Sequence, residues 1–331
     1  MKPAVPLLQQ GPPSQVHSSR SASSPPRICA LLPDAKDNYW WGVSWALASH
    51  ARQKGISLGI YFSAGYADVA SQQRQWALCE ALGAQAIVVA AVNAEGLKSE
   101  AARAMKQGIV VVDFVNGASY RTSLQAALNF NQIADLVGAR VKAVSRKTRP
   151  VVAWFPGPAD SAQVNDTEVR LRQVFAQQGV QLGIGGYGPP DPGHQAGLVR
   201  GYLQAKPTPD FIVGNAAAVV FAGRYFKRRP PPMPILISVG VSHEVVSLLR
   251  DGLIDSIVTD TPIHNARAVL DAAVAAVVGP RSGVGSLELP VLLLTKASLP
   301  QVDLSSLLPP ASQWLVQQPL PPYFSFDQAD R

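Results

Sequence analysis

The chain has 331 residues, 47% hydrophobic and 15% charged, enough for two lobes with separate cores and too apolar for a disordered chain. Its net charge is +7, but the basic residues are scattered, and the one tight cluster, Lys227-Arg228-Arg229, runs into three prolines as a solvated loop would. No predicted helix presents a basic face, which argues against nucleic acid as a partner, and no run approaches the ~20 apolar residues of a membrane span.

Residues 1–27 are rich in Pro, Ser and Gln and read as disordered. Leu7-Leu8 is far shorter than the apolar core of a signal peptide, roughly 7–15 residues, so either the protein is cytoplasmic or this start is not the natural one. Ile28–Leu32 is an apolar run that stops at Pro33, as a buried strand does. Turn chemistry over Pro33–Asn38 supplies an Asx helix start, and Trp40, Val43, Leu47 and Ala51 recur at helical spacing until Gly55. Ser57–Phe62 reads as the next strand.

The alternation continues with a helix over Ala70–Leu82, a strand over Ala86–Ala91, a helix over Leu97–Gln107 and a strand over Ile109–Phe114. A second series follows: helix Phe130–Val144, strand Val151–Phe155, helix Asp166–Gln178, strand Val180–Ile184, helix Gly193–Leu203, strand Phe211–Val213 and helix Ala216–Phe226. Strand Ile235–Val239, helix Ser242–Arg250, strand Ser256–Thr259, helix Ile263–Val278 and a last strand, Leu287–Leu294, complete it, ahead of a proline-rich tail. Strands that are apolar on both faces and alternate with helices imply parallel sheets covered on two sides. The expected fold is therefore α/β, with two Rossmann-like lobes joined by a three-segment hinge. An N-terminal lobe takes residues 28–125 and 261–286, a C-terminal lobe takes 126–260, and 287–331 forms the final hinge strand and a wrapping tail.

Ligands of open α/β sheets bind beyond the carboxyl ends of the strands. Tyr39, Trp40 and Tyr66 fall at such ends, where loops are usually polar, and an aromatic box suits a methylated cationic nitrogen. Trp41, Trp45 and Trp76 read as core. Asp37 opens the first helix, and Asp113 and Asp260 lie at strand ends where each meets either a ligand or a helix N-terminus. His243 and His264 also fall near strand ends. The GxGxxG match at Gly183–Gly188 leads into Pro189-Pro190-Asp191-Pro192 instead of a helix, so it is a loop and no cofactor site. The five histidines and two cysteines lack metal-ligand spacing, and neither a nucleophilic elbow nor a phosphate loop is present, so neither metal nor cofactor is expected and the chain is not an enzyme. Cys29 and Cys79 are either two small buried apolar residues or, in an oxidising compartment, a disulfide.

These features resemble the type I periplasmic binding proteins, of the ribose-binding and LacI-effector-domain kind. The resemblance is carried by Ile28-Cys29-Ala30-Leu31, Lys36-Asp37-Asn38-Tyr39-Trp40, Gly65-Tyr66, Ala77-Leu78-Cys79, Gly83–Ile87, Phe211-Ile212-Val213-Gly214, Val239–His243 and Tyr323-Phe324-Ser325-Phe326. Within that family the chain is similar to members that sense trimethylamine N-oxide (TMAO) for a sensor histidine kinase. The resemblance implies a periplasmic, non-catalytic protein that binds a small methylated amine between its lobes, docks on the kinase's periplasmic domain and does not insert in the membrane. It also implies a ligand cage that includes Tyr39, Trp40 and Tyr66. Phe130 stands where these members usually carry Trp, and Gly240 stands at a strand-end Tyr. Asp113 and Asn215 match the sugar-binding pattern only in part. A receptor for a sugar or another small polar solute of an ABC importer is the alternative.

Overall fold

The computed structural model describes residues 24–159, 161–279, 285–312 and 315–321. Residues 1–23 and the motif Tyr323–Phe326, both singled out from sequence, lie outside them. The described elements run β1 (Arg27–Leu32), α1 (Asn38–Lys54), β2 (Ser57–Phe62), α2 (Val69–Ala81), β3 (Ala86–Val89), α3 (Lys98–Lys106), β4 (Val110–Val115) and β5 (Leu124–Ala127). They continue with α4 (Phe130–Val144), β6 (Val151–Phe155), α5 (Ala162–Gln178), β7 (Gln181–Ile184), α6 (Pro192–Ala205), β8 (Phe211–Asn215), α7 (Ala216–Phe226) and β9 (Ile235–Val239). The series ends with α8 (His243–Arg250), β10 (Ser256–Asp260), α9 (Pro262–Val278), β11 (Gly285–Ser286) and β12 (Val291–Thr295).

Two six-stranded sheets form, in the orders β11-β5-β4-β3-β1-β2 and β12-β10-β9-β8-β6-β7. All ladders are parallel except β10–β12. Both sheets share one winding, so each has a crevice where the chain direction reverses, between β1 and β3 and between β6 and β8. Helices α1 and α9 pack on one face of the first sheet, and α4 and α5 on one face of the second. The chain passes between the sheets after β5, after β10 and after β11, so the two-lobed α/β fold with three hinge segments is the one expected from the sequence.

Local chemistry sets the element ends that matter for the site. Asp37 accepts from the Tyr39 N–H at 3.0 Å and starts α1, and Gly55 closes it with φ +67°. Asn215 ends β8 and caps α7 through the Ala218 N–H, while of the GxGxxG stretch read as a loop Gly183 and Ile184 belong to β7 and only 185–188 is loop, with α6 opening later at Pro192. The expected strand Leu287–Leu294 is corrected. Only its part from Val291 is strand, in β12 of the second sheet; Leu287 directly follows β11 of the first sheet, and Pro290, which has no N–H to give to a ladder, lies in the crossing segment. Strand β5 has no counterpart in the expected elements, because its four residues are half wet and too short to show periodicity. Helix α5 begins at Ala162, earlier than the expected Asp166.

Cys29 and Cys79 form a disulfide that ties β1 to α2 with 6.2 Å between Cα atoms. Both residues are fully buried beside Trp76, so the bridge lies inside the core on the side of the sheet away from α1. The described part of the tail touches both lobes. Leu299 and Leu307 pack in the second lobe's core, whereas Gln318 pairs with Ile60 on the outer edge of β2 in the first lobe. Gly59 is what lets it lie there, since a Cβ would sit 2.7 Å from the Leu320 backbone nitrogen.

Candidate functional site

A cavity of about 350 Å³ opens between the carboxyl ends of the two sheets. The loop after β1 supplies Asp37, the first turn of α1 supplies Tyr39 and Trp40, and the loop after β2 supplies Tyr66. From the second lobe come Asn215 at the end of β8, Gly240 after β9 and Asp260 at the end of β10. The parallel winding brings residues separated by more than two hundred positions to one point.

The first-lobe corner is tightly wired. Tyr66 Oη donates to Asp37 Oδ2 at 2.6 Å and accepts from Trp40 Nε1 at 2.8 Å. Tyr39 and Trp40 meet edge to face with ring centroids 4.9 Å apart, and Trp40 is buried against Phe114. Across the cleft, Tyr39 Oη donates to Asp260 Oδ2 at 2.9 Å, and Asn265 Nδ2 donates to the same oxygen at 2.9 Å. Thr261 in turn donates to Asn265 Oδ1 at 3.0 Å, which fixes the amide. Asp260 is therefore joined to Tyr39 and Asn265, and the cap position of α9 is taken by Thr261.

Burial pushes the carboxyls of Asp37 and Asp260 up from 3.8 to about 6, although the tyrosine hydroxyls pull the other way. Burial together with the adjacent carboxylates raises both tyrosine hydroxyls well above their ordinary 10. Among the described residues neither carboxyl has a basic side chain within ion-pair distance. The lining basic residue Arg224 is engaged by Glu244 at 2.8 Å, and Lys36 on the rim is exposed.

Not every candidate reaches the cavity. Phe130 is buried in the core beneath it, and Leu128 and Ile133 stand in the lining instead. Asp113 is not in the lining either. It lies on the same face of β4 as Val111, and its Oδ2 accepts from the Ala118 N–H at 2.9 Å. Asn215 does line the cavity, but its amide is committed to the Phe155 carbonyl and the Ala218 N–H. Gly240 has φ +103°, and a Cβ there would meet nothing within 4 Å, so this wall is open space. Trp76 is core as expected, whereas Trp41 and Trp45 are half-buried on the flank of α1. His243 faces a smaller neighbouring cavity and meets the Pro309 carbonyl at 3.0 Å, and His264 is exposed. The apolar second-lobe wall of Val220 and Phe221 within α7 and Val241 just past β9 has no mark in the sequence, because apolar residues in a helix or beside a strand look like core.

Residues 29–281 match the family model described as periplasmic binding protein domain. The chain belongs to the periplasmic binding protein family. As a periplasmic binding protein it is a solute-binding or sensing protein and not an enzyme. It is 24% identical over 282 residues to the periplasmic protein TorT of Escherichia coli K12, covering 81% of this chain and 78% of that one. Its fold is similar to an ABC transporter solute-binding protein from Bradyrhizobium sp. BTAi1 with bound Bis-Tris, with a TM-score of 0.75, 25% identity, and coverage of 89% and 90% of the two chains. It is likewise similar to the complex of the TorS sensor domain with TorT in the presence of TMAO, with a TM-score of 0.74, 21% identity, and coverage of 88% and 99%.

Proposed function

We propose that this periplasmic binding protein works in the periplasm, captures a small methylated amine such as TMAO in the interlobe cleft, and signals to the periplasmic domain of a sensor histidine kinase. The observation that carries the reading is the corner of Tyr39, Trp40 and Tyr66, wired to Asp37 and Asp260. Ring faces and carboxylates both attract a methylated nitrogen that bears positive charge. Residues 28–125 with 261–286, and residues 126–260, act as the two closing bodies, with 287–331 as the last hinge strand and tail. Tyr39 and Asp260 come from opposite sides of the cleft and bond to each other, so a ligand seated against that pair touches both lobes and is bound more tightly in the closed shape. That difference in affinity between two shapes is the signal. The likeness to TorT supports a sensing role.

A second reading, a solute receptor of an ABC importer, is favoured by the likeness to the Bradyrhizobium protein. Calorimetric titration with TMAO, with ribose as control, separates the two. Binding of TMAO that is lost in Trp40→Ala supports the sensing reading. Binding of ribose without any amine response supports the importer, and retained TMAO affinity in Trp40→Ala removes the cage assignment.

A further inference from the structure

Three features of the cleft, taken together, say more about the ligand than its methyl groups do. The first is charge. Asp37 and Asp260 face the cavity with hydrogen bonds from Tyr66, Tyr39 and Asn265 but, among the described residues, with no basic side chain in ion-pair distance, and the Arg224–Glu244 pair cancels itself. Two carboxyls are thus set against one exposed lysine, Lys36. TMAO is neutral overall and leaves that imbalance uncorrected.

The second is the wall opposite the aromatic corner. Its apolar part is Val164, Val220, Phe221 and Val241; the Asn215 amide beside them has its donor and acceptor occupied by backbone groups, which leaves Gln163, Ser161 and Ser242 as polar side chains at its border. A hydroxyl-rich solute finds little there to bond, whereas an apolar arm finds a dry surface. The third is room. A cavity of about 350 Å³ falls within the roughly 300–1,000 Å³ of pockets that enclose drug-sized ligands. The open space beside Gly240 adds to it, and TMAO is little more than a methylated nitrogen.

We infer that the cleft is built for an organic cation larger than TMAO, a quaternary or protonated tertiary ammonium whose head sits against the aromatic corner and the two carboxyls bonded to it and whose apolar arm lies on the second-lobe valines. The inference rests on the cleft being an amine site and narrows the class of amine. Its test is a calorimetric series on the intact protein with tetramethylammonium, which has the charge without the arm, benzyltrimethylammonium, which has both, TMAO, which has neither, and ribose. The expected order is benzyltrimethylammonium tightest, with about tenfold separating it from tetramethylammonium through the buried arm. A further step of about tenfold is expected down to TMAO through charge and ring faces. Asp260→Asn should weaken both cations about tenfold and move TMAO less. TMAO binding as tightly as benzyltrimethylammonium overturns the inference while leaving the amine reading in place. Binding of ribose alone overturns both.

Discussion

The carboxyl of Asp260 offers a direct way to weigh the cost of building this site. It is buried at the end of β10, and its pKa stands near 6 instead of 3.8 because of desolvation. A carboxyl with a folded-state pKa above its unfolded value holds its proton more tightly in the folded protein. Its contribution therefore favours folding at acid pH and is lost as pH rises through about 6. At 1.4 kcal/mol per tenfold, moving from pH 4 to pH 7 costs the folded state about 2–3 kcal/mol through this one group. Asp260→Asn keeps the shape and an acceptor for Tyr39 and Asn265 but cannot ionise. The variant should match the parent at pH 4 and exceed it by about 2–3 kcal/mol at pH 7. Urea unfolding followed by tryptophan fluorescence at the two pH values reads the difference. If parent and variant lose the same stability between pH 4 and pH 7, the desolvation argument for Asp260 is wrong.

Tyr66→Phe removes the hydroxyl shared by Asp37 and the buried Trp40 indole, and it should cost about 1–3 kcal/mol in equilibrium unfolding. A loss indistinguishable from zero would show that water replaces the hydroxyl. Reducing the Cys29–Cys79 bridge, which closes a sequence separation of 50, should cost about 4 kcal/mol by the loop-entropy relation. Comparing urea midpoints with and without reductant measures it. Because both cysteines are fully buried, reduction should proceed only at the rate at which the first lobe opens.

Most of the architecture was written in the alternation of apolar runs and helical spacing, because a strand covered on both faces has no polar position to blur it. The failures sit where that rule gives out. Strand β5 is half wet, and the break after β11 depends on which sheet each end joins, a long-range fact that local apolarity does not encode. For the site, Tyr39, Trp40 and Tyr66 stood out because aromatics at strand ends contradict loop chemistry. Phe130 was a candidate through the resemblance and Asp113 through its place at a strand end, yet packing drew the first beneath the cavity and strand alternation turned the second to the opposite face. Conversely, the bond between Tyr39 and Asp260 spans 221 positions and leaves no local trace.

The tail, finally, acts as a leash. Leu307 is anchored in one lobe, while Val316 takes a hydrogen bond from its N–H to Ser44 Oγ in the other at 3.1 Å. Eight residues, 308–315, lie between these anchors, so the nine steps have a fully extended reach of roughly 30 Å. That slack sets an upper limit on how far the mouth can gape, whatever the hinge itself allows. The same segment occupies the outer border of β2, so a surface that would otherwise recruit strands from other molecules is already taken. One stretch of chain thus bounds the amplitude of opening and keeps the open form from associating through that border.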